Sequence, residues 1–349
     1  MKIWVLAILI VLPLMQCGYK PPVLGQENIV VIVASEEDQP LLEPLFSDIF
    51  SRTLATPAPE SYFRVKWVTP IEFEDYKHYK SLIVTSLSNP PDSSGDLLIR
   101  RILGSERVTE AMEGGNPIFV ASDYLAKGQM FMALSALDAI QAQNEIERLR
   151  VWIFDQFEQQ LRLRLNDFIY RVRGNKKLTK ELEQKYDWRM EVPHDYITVK
   201  EKPDRHFVWL GRGFPYRWLS IHWMDQAESI TITPEWAWER MEYIADSLFA
   251  SVYIDTLFRS SELGDENGHN LYILRGVWAH RKETAGGPFF TYVFRDPEQN
   301  RIYFLTGIVF NPGGSKNLII RQQEVVIRTF HTFMGSAAKS KDSSGNQVT

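Results

Sequence analysis

The chain has 349 residues, 44% hydrophobic and 13% aromatic, a composition that excludes disorder, collagen-like repetition and low complexity for most of its length. At this length a single hydrophobic core is near its ceiling, so two packed subdomains are expected as readily as one large domain. The only cysteine excludes a disulfide framework and a thiolate zinc site, and the net charge of −5 argues against nucleic acid, whose binders need a concentrated basic surface.

Met1 and Lys2 precede an apolar run from Ile3 to Met15, followed by Gln16 and Cys17. The run is shorter than the roughly 20 residues that cross a bilayer, and it ends at the lone cysteine with Leu14 three positions before it. Residues 1–16 therefore resemble a bacterial lipoprotein signal peptide, although Met15 and Gln16 stand where such signals carry small residues. The resemblance implies lipidation of Cys17, cleavage before it, and a membrane as partner. Each buried methylene contributes about 0.8 kcal/mol, so two or three acyl chains hold a protein at a bilayer almost permanently. No acidic cluster follows Cys17, which favours the outer membrane of the bacterial envelope with the protein facing the periplasm. Residues 17–28 carry two Pro and two Gly without periodicity and are expected to be a tether.

Residues 28–34 (NIVVIVA) form a β-branched run, the signature of a buried strand. Leu42, Leu45, Phe46, Ile49 and Phe50 then recur at helical spacing, closed by Pro57 and Pro59. Strands are expected at 61–68 and 82–87, a turn-rich loop at 88–95, and a hairpin pair at 117–121 and 129–135. The longest helix signal runs from Leu137 to Arg173, with Ile146, Leu149, Ile153, Phe157, Leu161, Phe168 and Val172 on one stripe and Gly174-Asn175 at its end. Lys176 and Lys177 read as a solvated helix end.

A second cycle follows. Strands are expected at 206–210 and 218–224, then a helix with Thr233 as N-cap, Pro234 at its first position and Ala237, Met241, Ile244, Ala245 and Leu248 as its core stripe. A strand at 271–278, a hairpin of 289–295 with 301–310, and a closing helix at 318–333 complete the pattern. The predicted fold is α+β, with mixed or antiparallel sheets against amphipathic helices. Its divisions are an N-terminal half at 29–190, a tryptophan-rich C-terminal half at 191–333 and a disordered tail at 334–349. Both halves show the same order of elements, as an internal duplication would.

The second cycle also carries strings that resemble a bacterial lipoprotein family, domain of unknown function 4837. They are Phe207-Val208-Trp209-Leu210, Arg275-Gly276-Val277-Trp278, Gly286-Gly287-Pro288-Phe289, Asn300-Arg301-Ile302, Gly307-Ile308-Val309-Phe310-Asn311-Pro312, Lys316, and Arg321 to Glu324. Pro57-Ala58-Pro59-Glu60 and Ala126-Lys127-Gly128-Gln129 extend the likeness, so that it spans about Asn28 to Phe333. The resemblance implies a lipid-anchored envelope protein and supplies no catalytic residue.

The common catalytic and cofactor motifs are absent: there is no H-E-x-x-H, G-x-S-x-G, phosphate loop or C-x-x-C. Gly211-Arg212-Gly213 lacks the third glycine of a dinucleotide fingerprint and reads as a turn. Were Gly268 the sixth residue of a calcium loop, the first and twelfth would be Leu263 and Leu274, which bind no calcium, so residues 265–268 read as a hairpin turn. No cofactor and no metal is expected. Strand alternation puts Trp218, Ser220 and His222 on one face, with Asp225 nearby, and Glu235, Glu239, Glu242 and Asp246 share one helix face. A half-exposed sheet face and a solvated helix face account for both sets; a cell-envelope hydrolase acting on glycan or ester bonds is the alternative.

Seven of the ten tryptophans lie between 188 and 278. Flat rings left exposed can stack on sugars, lipids or a partner protein. The sequence therefore points to a non-catalytic binding or scaffolding lipoprotein with Trp209, Trp218, His222, Trp236 and Trp238 as its candidate surface, and an envelope protein or glycan as partner.

Overall fold

The computed structural model describes residues 20–333 except 57, 92, 250 and 267. The expected signal peptide at 1–16, Cys17 and the expected tail at 334–349 lie outside the described residues. In chain order the elements of the first half are β1 (Ile29–Val33), α1 (Gln39–Ile49), β2 (Thr53–Leu54), β3 (Glu60–Ser61), β4 (Arg64–Val68), α2 (Phe73–Tyr76), β5 (Ser81–Asn89), α3 (Ser93–Leu103), α4 (Ser105–Met112), β6 (Ile118–Ser122), β7 (Met130–Asp138) and α5 (Ala139–Tyr170). Then come α6 (Lys176–Tyr186), β8 (Trp188–Arg189), β9 (Ile197–Lys202), β10 (Phe207–Arg212), β11 (Tyr216–Asp225), α7 (Pro234–Ser247), β12 (Val252–Glu266), β13 (His269–His280), β14 (Gly286–Asp296), β15 (Arg301–Phe310), α8 (Asn317–Ile327) and β16 (His331–Thr332). The fold is α+β.

The first sheet is mixed and has the order β4-β1-β5-β7-β6. Its three parallel pairings bury it on both faces, which is why β1 reads as an unbroken apolar run. Val30 and Ile32 point into the central core, whereas Val31 and Val33 meet Leu98 and Ile99 of α3 and Val108 of α4. The second sheet is antiparallel throughout, in the order β12-β13-β14-β15-β11-β10-β9. On one face Leu219, Ile221 and Leu305 pack with Ile320, Val325 and Val326 of α8; on the other, Leu274, Phe289 and Phe304 pack with Ala237, Met241 and Ile244 of α7. Helices α1, α5 and α8 fill the space between the sheets, and a single core runs through both halves. The halves thus differ in sheet topology, one mixed and one an antiparallel meander, and the shared order of elements does not extend to strand pairing.

Several expectations are corrected. The segment 88–95 is mostly the end of β5 and the start of α3; α3, α4, α6, β9 and β12 are further elements that were not expected. Asn175 does not end a helix but caps α6, its side chain accepting from Leu178 N at 3.1 Å. Phe168 and Val172 stand 55% and 53% exposed rather than on the core stripe of α5. The closing helix stops at Ile327, and β16 then pairs with β8. In the described part of the expected tether, Leu24 N donates to His78 O at 2.8 Å and Lys80 N to Leu24 O at 3.0 Å, so the chain around Leu24 is laid against the first half.

Candidate functional site

The hairpin of β10 and β11 pairs Trp209 with Ser220 and Gly211 with Trp218. Gly211 sits in the strand, not in a turn: the Trp218 indole lies over it, and an added Cβ would stand 2.3 Å from Trp218 Cδ1. On the other side of β11, Tyr216 is opposite Phe310 and Trp218 opposite Ile308. Trp278 of β13 reaches across Gly287 to the same neighbourhood, where its Nε1 donates to Val309 O at 3.1 Å. A Cβ on Gly287 would meet that carbonyl at 2.2 Å, so only glycine leaves the indole its path.

These rings form a connected wall. Tyr216 stacks on Trp218 with centroids 5.6 Å apart and lies 6.0 Å from Phe310; Trp218 meets Trp209 and Trp278 edge-on at 6.0 and 6.2 Å. Phe249, just beyond the end of α7, closes the wall 5.1 Å from Trp209. Helix α7 covers the rest of this sheet face and stops at Ser247, so the rings beyond it bound an open cup of about 370 Å³. Trp209 Nε1 is buried without a hydrogen-bond partner. The polar groups at the rim are His280, whose Nδ1 accepts from Glu283 N at 3.0 Å, and the exposed Glu283. The cup can take up apolar surface, and among the described residues no Ser, Thr or Cys lines it.

Of the candidate residues, Trp209 and Trp218 are brought together in the cup. Trp236 and Trp238 instead belong to α7 and face the sheet away from the cup: Trp236 lies against Phe304 at 5.8 Å, and the buried Trp238 donates from Nε1 to Ser261 Oγ at 3.2 Å with the Arg259 guanidinium 4.9 Å over its ring. On the face of Trp218, Ser220 and His222, the first and last are half-buried and Ser220 between them is 1% accessible. Ser220 Oγ has no hydrogen-bond partner, and His222 Nδ1 lies 3.0 Å from His206 O. Burial pushes the His222 pKa down to about 4. Asp225 is held by Arg301 at 2.8 Å. Glu242 and Asp246 pair with Arg259 and Arg281, and Glu235 and Glu239 are exposed. Neither grouping forms a hydrolytic site. Among the described residues no group of three or more His, Cys, Asp and Glu could hold a metal ion.

Sequence reasoning missed Tyr216, Phe249, Trp278 and Phe310. Tyr216 was within reach, two residues from Trp218 on one strand face; Trp278 and Phe310 arrive only through the register of four strands.

No curated protein matches the chain. Among solved structures, a Bacteroides thetaiotaomicron VPI-5482 protein is similar with a TM-score of 0.28 and 12% identity over 43% of this chain and 46% of that one, so the chain spans under half its length. A point mutant of the protein Mog1 gives 0.30 and 10% over 44% of this chain and 93% of that one. The Saccharomyces cerevisiae Ran-binding protein Mog1p gives 0.29 and 11% over 42% and 90%. The family match begins at residue 175 and ends at 329, narrower than the expected span from Asn28, and leaves the strings at 57–60 and 126–129 outside it. The whole aromatic cup falls within that segment, and residues 175–329 match the family described as "Domain of unknown function (DUF4837)".

Proposed function

We propose that this protein is a non-catalytic binding lipoprotein of the bacterial envelope, anchored through Cys17, whose aromatic cup holds the apolar part of an amphiphile. The observation that carries this reading is the continuous wall of Trp209, Tyr216, Trp218, Trp278 and Phe310 left open beyond the end of α7. A cavity of about 370 Å³ lined by rings has the size and character of a small-molecule site. Its polar groups, His280 and Glu283, stand at the rim, where the head of an amphiphile would remain in water. The N-terminal apolar run that ends at the only cysteine supports the anchor.

The test is a titration with octyl glucoside below its critical micelle concentration, read by tryptophan fluorescence, with free glucose in parallel. Octyl glucoside should quench saturably and glucose should not. Trp218→Ala should weaken binding by about tenfold or more, the effect of losing an aromatic anchor, while Trp152→Ala on the exposed side of α5 leaves it unchanged. Equal binding by wild type and folded Trp218→Ala would overturn the reading.

A further inference from the structure

On the opposite face of the second sheet, directly behind Trp218, lies a second cavity of about 140 Å³. Its floor is unusual for a sheet. Arg212 of β10 and Arg217 of β11 stand directly opposite each other in the strand register, a like-charge pair that costs stability unless something offsets it. Arg212 is paired with Asp195. Arg217 forms no ion pair with any described residue: one of its terminal nitrogens donates to the Gln322 side chain, and its buried Nε has no hydrogen-bond partner. Burial pulls the Arg217 pKa down, with Arg212 adding to it, and the opposing influence of Tyr196 and Asp195 does not make up the difference.

Arg171 at the end of α5 adds a third guanidinium at the rim, its charge 5.4 Å over the Phe168 ring. Phe168 near the end of α5 and Val172 just beyond it, both exposed rather than in the core, form an apolar wall of the same cavity. Three guanidinium groups against the one carboxylate of Asp195 leave a surplus of two positive charges. That surplus matches a phosphomonoester, which carries close to two negative charges near neutral pH and accepts the forked donors of arginine. The volume is roughly that of four or five waters, room for a phosphate group with its first substituent atoms.

We propose that the cavity between Arg171, Arg212, Arg217 and Gln322 binds the phosphate group of a phosphomonoester. The anion offsets the cross-strand arginine repulsion and accepts from the guanidinium groups that line the cavity, while Phe168 and Val172 contact the ester substituent. This site is independent of the aromatic cup, on the other face of the same strands.

The experiment measures binding of inorganic phosphate by calorimetry. A second arm measures flotation with phosphatidylcholine vesicles with and without phosphatidic acid. Wild type should bind phosphate, and Arg217→Met should weaken it by tenfold or more while keeping its circular dichroism spectrum; Trp218→Ala should bind phosphate as wild type does. Co-flotation that requires phosphatidic acid and Arg217 identifies a lipid headgroup as the source. Phosphate binding without it identifies a soluble ester. Should Arg217→Met fail to fold, Arg171→Ala at the exposed rim serves instead, with a several-fold loss expected. No phosphate binding by wild type, or binding unchanged in a folded Arg217→Met or Arg171→Ala protein, overturns the proposal.

Discussion

His222 shows how burial can set a residue's chemistry even where backbone hydrogen bonds oppose it. Its ring lies 6.0 Å from the Phe304 ring, and desolvation lowers its pKa to about 4, against about 6.5 in an unfolded chain. The native state therefore binds the proton less readily than the unfolded state. Above about pH 6.5 the residue is neutral in both states and costs nothing; as pH falls from about 6.5 to about 4 the unfolded chain takes up a proton that the native state refuses, and stability drops. At about 1.36 kcal/mol per unit the loss approaches 3 kcal/mol. Urea unfolding at about pH 7 and about pH 4.5 should show a smaller acid loss in His222→Gln than in wild type. An identical loss in both proteins would mean that His222 is not the group responsible. Trp218 shows a different dependence: its position rests on Gly211, a residue that composition and motif reading assign to a turn.

Among the elements, β15 is the most constrained. It lies fourth of the seven strands, with β14 and β11 on either side and helices over both faces, and Phe304 is fully buried beneath α7 against Trp236. Phe304→Ala should cost about 3 to 5 kcal/mol, measured by chemical denaturation, and an unchanged midpoint would place this strand at a surface. Elements of this kind were legible in the sequence. The Thr233-Pro234 start of α7 is one: the Thr233 hydroxyl accepts from Trp236 N at 3.2 Å as its N-cap position requires. The hairpin of β14 and β15, apolar on both faces, is another. What escaped has a common cause. β9 and β12 are the two edge strands of their sheet, largely exposed, and β12 is interrupted by an irregularity between Asp255 and Ser260, so neither carries an alternating pattern. Helix α6 buries only Thr179, Leu182 and Tyr186 among charged neighbours. The cup was legible by half: Trp209 and Trp218 come from one local hairpin, whereas Trp278 and Phe310 join them through non-local register.

For the whole molecule, the two halves are interlocked rather than merely adjacent. Glu60 of the first half accepts from Lys316 N at 2.9 Å and Asn317 N at 3.1 Å, capping the first turn of α8 in the second half, and Arg321 of α8 donates back to Tyr62 O at 3.0 Å. Arg52 pairs with Glu262 at 3.3 Å and Arg275 with Glu262 at 3.2 Å, Arg275 also reaching Glu324, which extends the junction to the edge of the second sheet. Glu60→Ala should cost about 1 to 2 kcal/mol. Because the central core is continuous, circular dichroism and tryptophan fluorescence should report one coincident transition in wild type and variant alike. Two separated transitions would show that the halves fold independently.

The rings beyond α7 should receive a ligand, and the indole N–H signals of the tryptophans report this one residue at a time. In an NMR titration of the indole-labelled protein with octyl glucoside below its critical micelle concentration, the signals of Trp209, Trp218 and Trp278 should shift together and saturate. Those of Trp188 and Trp223, buried in the central core, should stay in place. Shifts confined to exposed Trp152, or no saturable shift at the three cup residues, would contradict it.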